Sequence, residues 1–110
     1  MQQVATKAGL TPARQRLVEL MQEANYGRIS DLQVLDGDPV LDPPPVIERK
    51  FVFGKQNGPN PARSSDSFAL KKHVVELFEL FEQEQSLSIT DLVINDGLPV
   101  EMIWTETTRA

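Results

Sequence analysis

The sequence predicts an α+β fold: two fused helix–hairpin units that share one antiparallel sheet, with both helices on one face. The sheet is four-stranded, or five-stranded if residues 46–53 add a strand of their own. Three observations carry this expectation. Residues 17–40 and 77–100 align without a gap, sixty positions apart. Ten of the 24 pairs are identical, where chance would give about one or two. Asp-Gly stands at 36–37 and again at 96–97, each time between apolar-patterned runs, which is a hairpin signal twice over.

The elements follow in order. Residues 1–10 are a polar lead-in. Thr11-Pro12 starts a helix, the hydroxyl capping free N–H groups and the proline taking the first helical position. Leu17, Leu20, Met21 and Ala24 recur at helical spacing, so the helix is expected over 12–25. Asn25-Tyr26-Gly27 ends it, with Gly27 expected at the left-handed position. A strand follows over 28–35 with Ile29, Leu32 and Val34 as its apolar members, and the return strand starts at Asp38-Pro39-Val40-Leu41. The second unit repeats the scheme: a helix starting near Ser65–Ser67 and ending near Gln83, a strand over 88–95, and a return strand over 98–105.

Pro39 and Pro99 predict the strand order. Each sits just past its turn, and a proline cannot donate to a central ladder. Both return strands are therefore expected outside and both leading strands inside. The 110 residues make one domain, with units 11–41 and 67–105 joined by the segment 46–53 and a mobile loop over 54–67. In residues 46–53, Ile47, Phe51 and Phe53 are expected on one face of a strand. It either prolongs the first return strand after Pro43-Pro44-Pro45 or forms a fifth strand.

Composition excludes several function classes. The chain has no cysteine, so disulfides and thiolate chemistry are ruled out. No apolar run approaches the ~18 residues of a membrane span, and residues 1–10 show no apolar signal segment, so a cytoplasmic protein without membrane partners is expected. Net charge is -5 and unevenly spread: -3 over residues 1–48, +5 over 49–73, and -7 over 74–110. The cationic middle could meet phosphate, or the acidic flanks of its own or a second chain. Whole-chain acidity favours the second.

No catalytic arrangement stands out. His73 is the lone histidine, on the polar side of a helix. No nucleotide-binding or nucleophile-elbow motif is present, and Phe53-Gly54-Lys55-Gln56-Asn57-Gly58 lacks phosphate-loop spacing. Neither catalytic residues nor cofactors nor a metal site are expected. Asp31 and Asp91 are the one acidic pair that the repeat could bring together for a divalent cation. Local hydrogen bonding is the expectation that prevails for them.

Two binding surfaces remain. Arg49, Lys50, Lys55 and Arg63, interleaved with Phe51 and Phe53, are anion-binding candidates, since cations with stacking aromatics hold single-stranded nucleic acid. The competing expectation, which is favoured, points both phenylalanines inward. The second helix has an apolar arc of roughly 220°, against the ~100° that a sheet-covering helix needs. Val75 and Phe78 on its flank therefore need a second burial partner, either the 46–53 segment of the same chain or another protein surface. In the second case they, with Trp104 near the end of the last strand, are the candidates for an interaction surface or a dimer contact.

Two stretches carry family likenesses. Tyr26-Gly27-Arg28-Ile29 through Val34-Leu35-Asp36-Gly37-Asp38-Pro39-Val40, echoed at 89–100, resembles the YezD-like family of small uncharacterised bacterial proteins. That resemblance implies a helix before a strand–Asp-Gly–strand hairpin and brings no catalytic residues with it. Pro39 and Pro99 depart from its pattern. Residues 10–20, Leu10-Thr11-Pro12-Ala13-Arg14-Gln15-Arg16-Leu17-Val18-Glu19-Leu20, are similar to the opening helix of ferric-uptake-type regulators. The hairpin beyond that helix does not fit a winged helix. The expected role is thus a non-enzymatic interaction or assembly module with a protein partner or a second copy. Nucleic-acid or anionic-ligand binding through 49–73 is the alternative.

Overall fold

The computed structural model describes residues 10–54 and 72–106. The first helix, α1 (Pro12–Ala24), is capped by the Thr11 hydroxyl, which accepts from the Arg14 amide. It is followed by β1 (Gly27–Leu35), β2 (Asp38–Val40) and β3 (Val46–Arg49). The second half holds α2 (Lys72–Glu84), β4 (Leu87–Asn95) and β5 (Leu98–Trp104). The expected second-helix start at Ser65–Ser67, and loop residues 55–67, lie outside the described residues.

The sheet is antiparallel and ordered β2-β1-β4-β5, with β3 also paired to β1. Both proline-bearing return strands are outside, as Pro39 and Pro99 required. β2 and β3 share one edge of β1: β2 pairs with residues 33–35 and β3 with residues 27–30. The segment from Leu41 to Pro45, which includes a cis Asp42–Pro43 peptide, separates them. The five-stranded expectation and the kinked-strand expectation therefore describe the same edge. β3 is shorter than expected, however. It ends at Arg49, and Phe51 and Phe53 lie beyond it rather than on its inner face.

Both turns are built alike. Asp36 and Gly37 have φ of 52° and 79°, and Asp96 and Gly97 have 54° and 73°. Two consecutive positive φ values are what a two-residue hairpin turn demands, because they match the right-handed twist of the strands. The helix ends differ from expectation in one detail. The left-handed residue after α1 is Asn25, with φ of 63°, and Gln85 does the same after α2 with φ of 64°. Gly27 serves another purpose. A Cβ there would lie 2.0 Å from the Glu48 carbonyl oxygen, so glycine is what lets β3 lie against β1.

One face of the sheet is closed by both helices. Leu17, Val18 and Met21 of α1 and Val74, Leu77, Phe78 and Phe81 of α2 form a single core with Ile29, Leu32, Val34, Leu87, Ile89, Leu92 and Ile94. Strict alternation cannot bury both Ile29 and Leu32, which are three apart. The inward sequence skips a residue at Asp31, which holds φ of 58°. In β4, Ile89 and Leu92 pose the same problem, and the β4–β5 ladder shifts register between Ile89 and Asp91. The two aspartates therefore recur at irregularities in the strands.

Candidate functional site

The surface expected from α2 is largely closed. Phe78 is 5% exposed and belongs to the core. Its ring meets Phe81 edge-on at 5.6 Å, and the Arg14 guanidinium lies over it at 5.5 Å. The wide apolar arc of α2 finds this partner within the chain, so Phe78 offers no contact surface. Val75 is half-buried. Trp104 is half-buried as well, packed against the core, with Nε1 donating to Glu106 Oε2 at 2.6 Å.

Asp31 and Asp91 take different surroundings. Asp91 accepts from the Ser30 hydroxyl at 3.1 Å across the β1–β4 ladder, and the Arg28 guanidinium is 3.9 Å away. Arg28 is also paired with Glu48, and the two acids together raise its pKa, Glu48 the more through its hydrogen bond. Asp31 is exposed. Among the described residues, no three His, Asp or Glu side chains group to hold a metal. Asp91 bonds across the sheet rather than to the local backbone. His73 is exposed near the start of α2.

The segment after β3 overturns the inward expectation for the phenylalanines. Phe51 is 65% exposed and Phe53 is 89% exposed. Their rings meet edge-on with centroids 5.0 Å apart. The cause lies in the backbone just before them. The Lys50 amide donates to the Tyr26 carbonyl, and after that bond β1 has no further residue to pair with. The chain leaves the sheet there and takes its aromatics with it. Pattern alone missed this because Ile47, Phe51 and Phe53 fit alternate positions of a longer strand. Nothing in those residues says where the partner strand runs out.

Arg49 and Lys50 are exposed beside these rings. Among the described residues no ion pair engages either of them. With Gly27, Arg28, Glu48 and Val93 they line a depression of about 340 Å³ at one end of the central strand pair. Two exposed cations, two exposed aromatic rings and a concave floor thus come together at residues 49–53. Lys55 and Arg63 lie outside the described residues.

Among the described residues, no helix covers the opposite face of the sheet. Val46, Ser30, Asp91 and Ile103 form one cross-strand row there, and Glu48, Arg28, Val93 and Glu101 form the next. Val46 and Ile103 stand isolated at the two ends of their row, with the polar pair Ser30 and Asp91 between them. Singly scattered apolar residues of this kind are ordinary surface. No helix among the described residues is long and apolar enough to cross a membrane. Comparison with protein-family models, with curated proteins and with solved structures finds no match.

Proposed function

We propose that the chain is a non-enzymatic assembly module whose contact surface is the tip formed by Arg49, Lys50, Phe51 and Phe53. The single observation that supports this is the exposure of two adjoining phenylalanines, 65% and 89%, beside two cations that no described carboxylate pairs. Aromatic side chains, phenylalanine included, and arginine are enriched at protein contacts relative to the rest of the surface. The partner is taken to be a second copy, because the charge of the chain is split between a cationic middle and acidic flanks.

The two rings would bury about 300 Å² from one side, below the ~800 Å² per partner of a standard interface. Association is therefore expected to be weak and dependent on concentration. Sedimentation equilibrium over the micromolar range tests it, with the wild type beside Phe51→Ser/Phe53→Ser. Both positions are exposed, so the fold should survive the change. The expected result is a mass that rises with concentration in the wild type and stays monomeric in the variant. A wild type that remains monomeric throughout overturns the reading.

The same juxtaposition of cations and rings supports a second reading, single-stranded nucleic acid held by stacking and phosphate contact. Binding to a mixed oligonucleotide that falls with salt and vanishes in Arg49→Ala/Lys50→Ala is its expected signature.

A further inference from the structure

A second depression lies at the other end of the central strand pair. It measures about 270 Å³, and Glu84, Leu87, Ser88, Trp104, Thr105 and Glu106 contribute to its lining. Its position corresponds to that of the first. Gly27, Arg28 and Val93 line the cationic depression, and Leu87, Ser88 and Gln33, each sixty positions away, line this one. The segment beyond β3 and the end of β5 also correspond. Ile47 pairs with Ile29 of β1, and Trp104 pairs with Ile89 of β4. Glu48-Arg49-Lys50 succeed Ile47 in the chain, and Thr105-Glu106 succeed Trp104.

Corresponding places thus carry opposite charge. Among the described residues, the first depression has Arg28, Arg49 and Lys50 against one carboxylate, Glu48. The second has Glu84 and Glu106 and, among the described residues, no cation in its lining. Each is flanked by exposed apolar surface: Phe51 and Phe53 at the first, and Leu35, 57% exposed, at the second. Glu84 has no ion-pair partner among the described residues, as is true of Arg49 and Lys50.

We infer that copies of this chain join head to tail, the Arg49–Phe53 tip of one seated in the Glu84–Glu106 depression of the next. This rests on the assembly reading above and adds the surface that the tip meets. The contact is heterologous: each copy keeps one used and one unused end, so association continues beyond a dimer until a ring closes or a chain extends. Tip-to-tip contact is disfavoured because it sets Arg49 and Lys50 against their own copies. Opposed exposed charges steer the encounter and are screened over ~10 Å at 0.1 M salt, so association weakens as salt rises.

Charge reversal at each end tests the inference. Arg49→Glu/Lys50→Glu makes both ends acidic, and Glu84→Lys/Glu106→Lys makes both ends basic. All four side chains are exposed, and a lysine at the end of α2 suits the helix dipole. Thermal melts confirm that each variant folds. Each variant alone is expected to lose at least about tenfold in self-association, and an equimolar mixture is expected to recover the wild-type mass distribution. If Glu84→Lys/Glu106→Lys alone associates as the wild type does, or if the mixture stays monomeric, the head-to-tail contact is overturned while the assembly reading stands. A monomeric wild type overturns both.

Discussion

The backbone N–H of Gly37 donates to the carbonyl of Gln85 at 3.0 Å, so the turn of the first hairpin closes on the end of the second helix. The N–H of Gly97 donates to the Asn25 carbonyl at 2.9 Å, which closes the second turn on the first helix. Each half therefore supplies a partner for a helix-end carbonyl of the other. Neither helix–hairpin unit completes its own backbone pairing. Local sequence chooses the turns and the stops, and the contact between halves satisfies them.

Arg14 reinforces the first of these closures. Its Nη2 and Nε donate to the Gly37 carbonyl at 2.6 and 3.1 Å, and its side chain is only 12% exposed. It also reaches Asp38 at 3.1 Å and Glu82 at 3.0 Å. Arg14→Met keeps an unbranched apolar stem and removes every donor, and is expected to cost about 2 kcal/mol in urea unfolding. Glu82→Gln changes a 63% exposed partner and should stay within about 0.5 kcal/mol of the wild type. Equal costs for the two would show that the carbonyl contact is not what stabilises.

Gly27→Ala is expected to loosen β3 from β1. The new Cβ would meet the Glu48 carbonyl oxygen at 2.0 Å, and φ of 147° is already unsuited to an L-residue. The expected loss is about 2–3 kcal/mol, read from the denaturant midpoint. Hydrogen exchange should show faster amides at residues 46–50, with β4 and β5 unaffected. Uniform protection across the sheet in the variant would contradict this.

Tyr26 predicts a dependence on alkaline pH. Its hydroxyl donates to Asp96 Oδ1, and that bond, with burial and the aspartate charge behind it, raises the phenol pKa above the usual 10.0. The fold thus holds the phenol proton more tightly than the unfolded chain does. The resulting stability is fully present below pH 10.0 and is lost as pH rises through the higher folded value. Tyr26→Phe should be less stable than the wild type at neutral pH and should converge with it above pH 10.0. A constant gap between the two melting curves across that range would refute the hydrogen-bond assignment.

Asp31→Gly tests whether that aspartate has any role beyond the strand irregularity. An exposed residue at φ of 58° bears a backbone cost that glycine escapes, roughly 1 kcal/mol or more. Glycine also gives up about 0.5–1 kcal/mol of unfolded-state entropy. The variant should therefore melt close to the wild type. Neither protein should gain stability from millimolar Mg²⁺ or Ca²⁺. A cation-dependent rise in the wild type alone would restore a binding role to Asp31.

What the sequence disclosed and what it withheld divide along physical lines. Pro39 and Pro99 disclosed the strand order, since a missing N–H acts wherever the chain folds. Asp36-Gly37 and Asp96-Gly97 disclosed the turns, because positive φ is a local demand. The fates of Phe78 and Phe51 were not legible. Phe78 is covered by Arg14, 64 residues away, and an arginine in a polar helix pattern gives no sign that it will lie over a ring. Phe51 leaves the sheet because β1 ends, which is a property of the partner strand. The cationic tip was legible as composition, whereas the acidic depression at the other end exists only once the strands have paired.

The contact proposed between residues 49–53 and the Glu84–Glu106 end is tested most directly by amide chemical shifts recorded while the protein is diluted through the micromolar range. Amides at 49–53 and at 84–88 and 104–106 are expected to move together, along one binding curve, while Ser30 and Asp91 on the sheet face opposite the helices stay still. Shifts independent of concentration, or confined to Ser30, Asp91 and Ile103, would contradict it.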